Sequence, residues 1–137
     1  MKVLLSIKPE FTNKIFDGEK KYEFRRSIFK RPVKKVIVYA SAPISKVIGE
    51  FEIDTILYDD LSTLWDKTSE FAGIEEGYFL KYFVGKECGY AIRIKKAKIY
   101  AKHLCIKEHF QLYPPQSFAY VSDIKKKIRA RSPVSKE

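Results

Sequence analysis

Apolar and polar residues alternate along several short stretches of this chain, a pattern typical of strands with one buried face. In one of them, Tyr22 and Phe24 fall on one face, whereas Glu23 and Arg25 fall on the other. Gly49 interrupts another stretch and predicts a bulge there. The predicted strands cover residues 2–7, 20–26, 35–41, 47–57, 88–101 and 118–121.

Apolar residues recur instead at intervals of three and four in three other stretches, which predicts short helices. The first helix begins at Pro9, a residue that suits a first turn, and ends at Asp17 and Gly18. The second covers about 61–71, with Asp60 or Ser62 as its N-cap. The third covers about 75–83.

Strands and helices do not alternate regularly along the chain, which favours an α+β fold over a parallel α/β fold. We expect a small mixed β-barrel of five to six strands with two to three short capping helices, formed by residues 1–121. Residues 122–137 hold six basic and two acidic residues and few apolar ones. They are therefore predicted to form a basic, flexible C-terminal tail.

Composition favours an ordinary globular protein with a polyanionic partner. The 137 residues are 45% hydrophobic and 32% charged, with a net charge of +10. Residues 1–121 alone keep a net charge of +6, so the excess of basic residues extends beyond the tail. The apolar runs are shorter than the roughly 20 residues that a membrane span needs, and we expect a cytoplasmic protein with Cys88 and Cys105 reduced.

Four residues with the spacing G-x-K-x-x-E-x-R stand where the first helix ends and the second strand begins: Gly18, Lys20, Glu23 and Arg25. Lys20 suits a phosphate or a base carbonyl. Glu23 suits a base amine or a general-base role, and an ion pair with Arg25 is the alternative. Arg25 can contact a phosphate through two N–H groups.

Further candidate ligand-binding residues are Ser41, at a strand end, and Tyr78 and Tyr82 on the third helix. The aromatic residues of that helix have the spacing of a stacking platform or of a core, and core is the better interpretation. Tyr78 and Tyr82 are expected to show a hydroxyl at a cleft. No cofactor is expected. No metal site is expected either, because the His103, Cys105 and His109 stretch lacks a C-x-x-C pair.

The G-x-K-x-x-E-x-R residues and their surroundings resemble the ASCH domain family of the PUA-like superfamily. The resemblance covers about residues 1–121, with further landmarks at 6–9, 39–41, 48–50 and 82–85. It implies a compact PUA-like β-barrel with a cleft beside the first helix, where the motif side chains gather. It also implies RNA or a nucleoside as partner, because PUA-like relatives bind RNA and some bind modified bases. DNA is left open, and no membrane partner is expected.

The resemblance leaves two activities open. The leading hypothesis is RNA binding, with recognition of a modified nucleoside in the cleft. The alternative is a hydrolase that uses Lys20 and Glu23 as catalytic residues, either on an acylated nucleoside such as N4-acetylcytidine or as a ribonuclease. Family members that deacetylate N4-acetylcytidine have a threonine where this chain has Glu23. They also use a glutamate from the helical insert, the part of the chain that holds the second and third predicted helices. The candidates for that glutamate are Glu70, Glu75 and Glu76.

Overall fold

The computed structural model describes residues 1–121, so the prediction of a C-terminal tail lies outside the described residues. The described part contains six strands: β1 Lys2–Ile7, β2 Tyr22–Arg25, β3 Lys35–Ala40, β4 Lys46–Asp60, β5 Cys88–Leu104 and β6 Phe118–Val121. It also contains four α-helices: α1 Pro9–Phe16, α2 Leu61–Thr68, α3 Glu76–Tyr82 and α4 Ile106–Phe110. A 3-10 turn, Ser69–Phe71, follows α2. None of these helices has the length and apolar character that crossing a bilayer requires.

All six strands belong to one sheet, in the order β2-β5-β4-β3-β1-β6. The pairs are antiparallel except for β1 with β3, which is parallel. The expected α+β class and strand number are therefore confirmed. Closure into a barrel is not confirmed, because the hydrogen-bonded order of the described strands leaves β2 and β6 as the two edges of the sheet.

A side chain, rather than backbone pairing, connects these two edges. The Arg25 guanidinium on β2 donates from Nη2 to the carbonyl oxygen and to Oγ of Ser117, both at 3.0 Å. Ser117 immediately precedes β6. The opening between the two edges is therefore bridged at this point by an arginine of the sequence motif.

Three apolar clusters surround the sheet. The first joins β1, β3 and β4 to α1, where Phe16 packs so closely on Gly49 that a Cβ there would lie 2.6 Å from the ring. Pairing with β5 shifts register between Val47 and Gly49, in agreement with the predicted bulge. The second cluster lies under α4, and the third packs α2 and α3 against β2 and β5.

Two features of the fold differ from the sequence-based expectation. Helix α4 was not predicted, because it is a single short turn whose buried residues are only Ile106 and Phe110. Strand β4 extends beyond the predicted residue 57 because residues 58–60 pair with the start of β5. Strand β5 extends beyond the predicted residue 101 to Leu104, which pairs with Val47. Mutual backbone hydrogen bonds can hold exposed strand ends that show no apolar alternation.

Candidate ligand-binding cleft

A cleft of about 480 Å³ opens beside α1, between β2, α3 and the segment that precedes β6. Its volume is in the range of small-molecule sites. The predicted residues that line it are Lys20, Glu23, Arg25, Tyr78 and Tyr82. Ser41 does not line it and lies instead in the turn after β3, where its backbone N–H donates to the Ile7 carbonyl at 3.0 Å. The structure thus brings five of the six predicted residues together.

Lys20 is a buried cation at the base of this cleft, with an exposed fraction of 2%. Its Nζ donates to the Ala72 carbonyl at 2.7 Å and lies 5.3 Å and 4.9 Å from the ring centres of Phe11 and Phe24. Burial lowers the pKa of Lys20 to about 8, an effect that attraction by Glu23 opposes and repulsion by Lys14 increases. One N–H of the ammonium is thus bound to the protein, and the group titrates close to neutral pH.

Two glycines allow Lys20 to take this position. Gly18 ends α1 with a φ of +89°, after which the Lys20 N–H donates to the Lys14 carbonyl at 3.0 Å. Gly73 has a φ of +71°, and a Cβ at this residue would lie 2.6 Å from Cβ and Cγ of Lys20. A side chain at residue 73 would therefore strain the backbone and displace the lysine stem.

Glu23 and Arg25 form an ion pair inside the cleft, with 3.1 Å between Glu23 Oε2 and Arg25 Nη1. Both side chains are largely shielded from solvent, and Arg25 is also held by Ser117. The sequence left an ion pair and a ligand-binding role open for Glu23. The ion pair is present, and it orients both groups along the wall of the cleft.

Aromatic residues form another wall of the cleft. The Tyr82 hydroxyl donates to the Phe24 carbonyl at 3.1 Å, and burial raises the pKa of this hydroxyl, which keeps it neutral. Tyr78 is 38% exposed, and its ring packs edge-on against Phe11 at 5.4 Å. Phe79, in contrast, is fully buried, as expected for a core residue of α3. The wall therefore offers the partly exposed ring of Tyr78, with the Lys8 ammonium 6.0 Å from its centre, and one hydroxyl that is already bound.

Some residues of the cleft were not found by sequence reasoning, among them Lys8, Phe11 and Ser117. The position of Lys8 could have been inferred locally, because it immediately precedes Pro9, the first residue of α1, and the cleft was expected beside that helix. Ser117 is 92 residues from its partner Arg25, and no local spacing indicates that contact.

None of the carboxylates considered for the helical insert faces the cleft. Glu70 and Glu75 line a separate groove between α1 and α3, and Glu76 lines neither. Within residues 1–121, no three His, Cys, Asp or Glu side chains are placed to hold a metal ion. The cleft thus combines cations, one paired carboxylate and aromatic faces, which suits a ligand with both a negative group and a planar ring.

The free energy of unfolding is expected to rise between about pH 8 and 10.5 through Lys20. Its pKa of about 8 lies below the ordinary 10.5, so the unfolded chain binds more protons across this window. From about pH 7 to pH 9.5 the gain is on the order of 2 kcal/mol. Urea unfolding of the wild type and Lys20→Met across this range isolates the effect. If the free energies of unfolding of the two proteins differ by the same amount at every pH, the low pKa of Lys20 is contradicted.

Comparison with known proteins identifies a matching family model and several similar proteins. A family model described as the ASCH domain matches residues 5–111. The chain is 34% identical over 85 residues to an ASCH domain-containing ribonuclease of Zymomonas mobilis, covering 61% of this chain and 57% of that protein. It is 28% identical over 120 residues to the large ribosomal subunit protein uL22 of Ureaplasma parvum, covering 87% of this chain. The chain spans about two-fifths of that relative's length, since the match covers 39% of it.

Solved structures are similar in fold over most of this chain. The crystal structure of ASCH from Zymomonas mobilis superposes with a TM-score of 0.85 at 27% identity, covering 94% of this chain and 93% of that one. The N-terminal domain of Staphylothermus marinus McrB shares the fold at a TM-score of 0.55 and 12% identity, covering 95% and 93% of the two chains.

Proposed function

The chain belongs to the ASCH domain family, and on that premise we propose that it is an RNA-binding protein whose cleft holds one nucleotide. The observation that carries this proposal is that two shielded cations, Lys20 and Arg25, line the same cleft as the partly exposed ring of Tyr78. The matched ribonuclease of Zymomonas mobilis supports RNA as the ligand class.

Each group in the cleft has a suitable partner on a nucleotide. The remaining N–H groups of Lys20 would bind a phosphate or a base carbonyl. Arg25 would bind a phosphate through the N–H groups that Glu23 and Ser117 leave free. Glu23 would accept a hydrogen bond from an exocyclic amine. Tyr78 would stack on the base, an interaction worth about 1–3 kcal/mol per base. The cleft volume of about 480 Å³ leaves room for a base with an added group, so a modified nucleoside is a candidate ligand.

RNA cleavage in the same cleft is the second candidate function, and two observations favour it. The relative of Zymomonas mobilis carries the name ribonuclease. Lys20, with a pKa of about 8, exchanges protons near neutral pH, as a general acid or base must. Glu23 would be the second catalytic residue, next to Arg25 as the group that stabilises the phosphate.

Deacetylation of N4-acetylcytidine has less support. The cleft has Glu23 where the deacetylating members have a threonine, and Glu23 is already paired with Arg25. Among the described residues, the glutamates of the insert lie outside the cleft. We therefore keep N4-acetylcytidine as a candidate ligand to be bound rather than as the preferred substrate.

The experiment measures fluorescence anisotropy of a labelled single-stranded RNA hexamer, with and without one N4-acetylcytidine, and of the matching DNA. The same samples are then examined by mass spectrometry for cleaved or deacetylated product. Saturable RNA binding without product supports a binding protein, and shortened product supports the ribonuclease. Failure of both RNAs to bind or react at high protein concentration would overturn the proposal.

A further inference from the structure

The surface beside the cleft is strongly asymmetric in charge. The segment that connects β2 to β3, residues 26–34, is here named the basic connection. Its charged residues are all basic: Arg26, Lys30, Arg31 and Lys34. All four side chains are exposed, and Arg26 also lines the cleft. The basic connection therefore extends the positive charge of the cleft outward along one side.

The basic connection is held in place by packing. Phe29 is buried and its ring packs edge-on against Phe118 of β6 at 6.0 Å. The Tyr120 hydroxyl accepts hydrogen bonds from the backbone N–H groups of Lys30 and Arg31 at 2.9 and 3.2 Å. The Arg31 guanidinium lies 4.7 Å from the centre of the Tyr120 ring. The cations are thus presented from a fixed backbone, which lowers the entropy cost of binding.

These cations are also available to a ligand. Within the part of the chain that the structure describes, none of Lys30, Arg31 and Lys34 forms an ion pair with a carboxylate. Lys35, the next residue, is paired with Glu50 at 2.9 Å. Among the described residues, the run of basic side chains without a carboxylate partner therefore ends at Lys34, immediately before β3.

The other side of the cleft is acidic. A groove between α1 and the helical insert shares Phe11, Ile74 and Tyr78 with the cleft. Its carboxylates are Glu10, Glu19, Glu70 and Glu75. Its cation, Lys14, already donates to the Gly73 carbonyl at 3.1 Å. A polyanion that leaves the cleft on this side would meet repulsion.

We propose that the basic connection binds the phosphodiester backbone of a single-stranded RNA whose one nucleotide occupies the cleft, so that the strand leaves the cleft only on this side. The proposal rests on the proposed function and adds the path of the strand and the need for more than one nucleotide. Arg26, whose Nη1 donates to the Tyr82 and Val84 carbonyls at 2.8 Å, would hold the phosphate nearest the cleft through its other N–H groups. Lys30, Arg31 and Lys34 would hold the phosphates that follow.

The test compares cytidine 5′-monophosphate with an RNA hexamer on the wild type and on the triple variant Lys30→Gln, Arg31→Gln, Lys34→Gln. For single strands, each phosphate contact adds about 0.7 to the slope of log affinity against log salt. For the triple variant, we expect the salt slope of hexamer binding to be smaller by about 2 and the hexamer affinity at 0.1 M salt to be lower by roughly tenfold or more. Its affinity for the monophosphate is expected to be unchanged. The double variant Lys30→Gln, Lys34→Gln keeps the Arg31–Tyr120 contact and is expected to lose a slope of about 1.4.

The matched control removes three exposed lysines that do not line the cleft: Lys98, Lys102 and Lys107. Replacement of all three by glutamine is expected to keep the hexamer slope within about 0.7 of the wild type. An unchanged slope in the basic-connection variant, or an equal loss in the control, would overturn the proposed path while RNA binding itself stands. A wild-type protein that does not bind the hexamer would overturn the path and the proposed function together.

Discussion

Replacing Lys20 with methionine is expected to weaken binding of single-stranded RNA by tenfold to a hundredfold. A hydrogen bond from a charged donor contributes about 1.5–3 kcal/mol, and about 1.4 kcal/mol corresponds to a factor of ten. Methionine keeps an unbranched apolar stem between Phe11 and Phe24 but has no ammonium to offer the ligand. Fluorescence anisotropy at one fixed salt concentration measures the loss.

Lys14→Met is the matched control for this substitution. Lys14 also donates to a carbonyl of the helical insert, that of Gly73, but it does not line the cleft. We expect Lys14→Met to bind RNA within about threefold of the wild type, because half-buried Lys14 lies outside the cleft and salt screens a charge that does not contact the ligand. Equal affinity of Lys20→Met and the wild type, with both proteins folded by circular dichroism, would show that Lys20 is structural only.

Phe79→Ala is expected to lower the free energy of unfolding by about 3–5 kcal/mol, the usual cost of removing a fully buried aromatic ring. The Phe79 side chain is 0% exposed. Its ring centre lies 5.3 Å from that of Phe24, 4.9 Å from that of Trp65 and 4.9 Å from that of Phe83. Since a domain is stable by about 5–15 kcal/mol, this loss is a large share of the total. Urea unfolding followed by tryptophan fluorescence measures it.

The neighbouring Leu80 provides the control on the same helix. It is 53% exposed, so Leu80→Ala is expected to change the free energy of unfolding by no more than about 0.5 kcal/mol. Similar losses in the two variants would indicate that α3 contributes through helix formation alone. A loss below about 1 kcal/mol for Phe79→Ala would contradict its place in the core.

The sequence was most informative where the determining contacts are local. Strand 2–7 and strand 118–121 were predicted with the observed bounds, because each alternates or carries apolar residues along its whole length. Lys20, Glu23 and Arg25 were predicted as one group because they lie within six residues at a helix–strand junction. Such a junction brings the three side chains near one another, and distant residues such as Ala72 and Ser117 then fix their positions.

Long-range contacts explain what could not be predicted. Periodicity does not encode which strands meet in a sheet. It therefore could not predict that β1 pairs with β3 and β6, or that β2 lies at an open edge. Ser117 reaches Arg25 only through that topology. Ser41, by contrast, was a candidate ligand-binding residue because it lies at a strand end. It lies in a turn that the Ile7 carbonyl fixes, outside the cleft.

The amide NMR spectrum of the full chain, recorded during titration with the RNA hexamer, tests the cleft as the RNA site most directly. We expect the largest shifts at residues that line the cleft, including Lys8, Lys20, Arg25, Tyr78 and Ser117. Smaller shifts are expected along the basic connection. Shifts confined to β4, β5 or α4, with the cleft residues unmoved under saturating RNA, would contradict binding in the cleft.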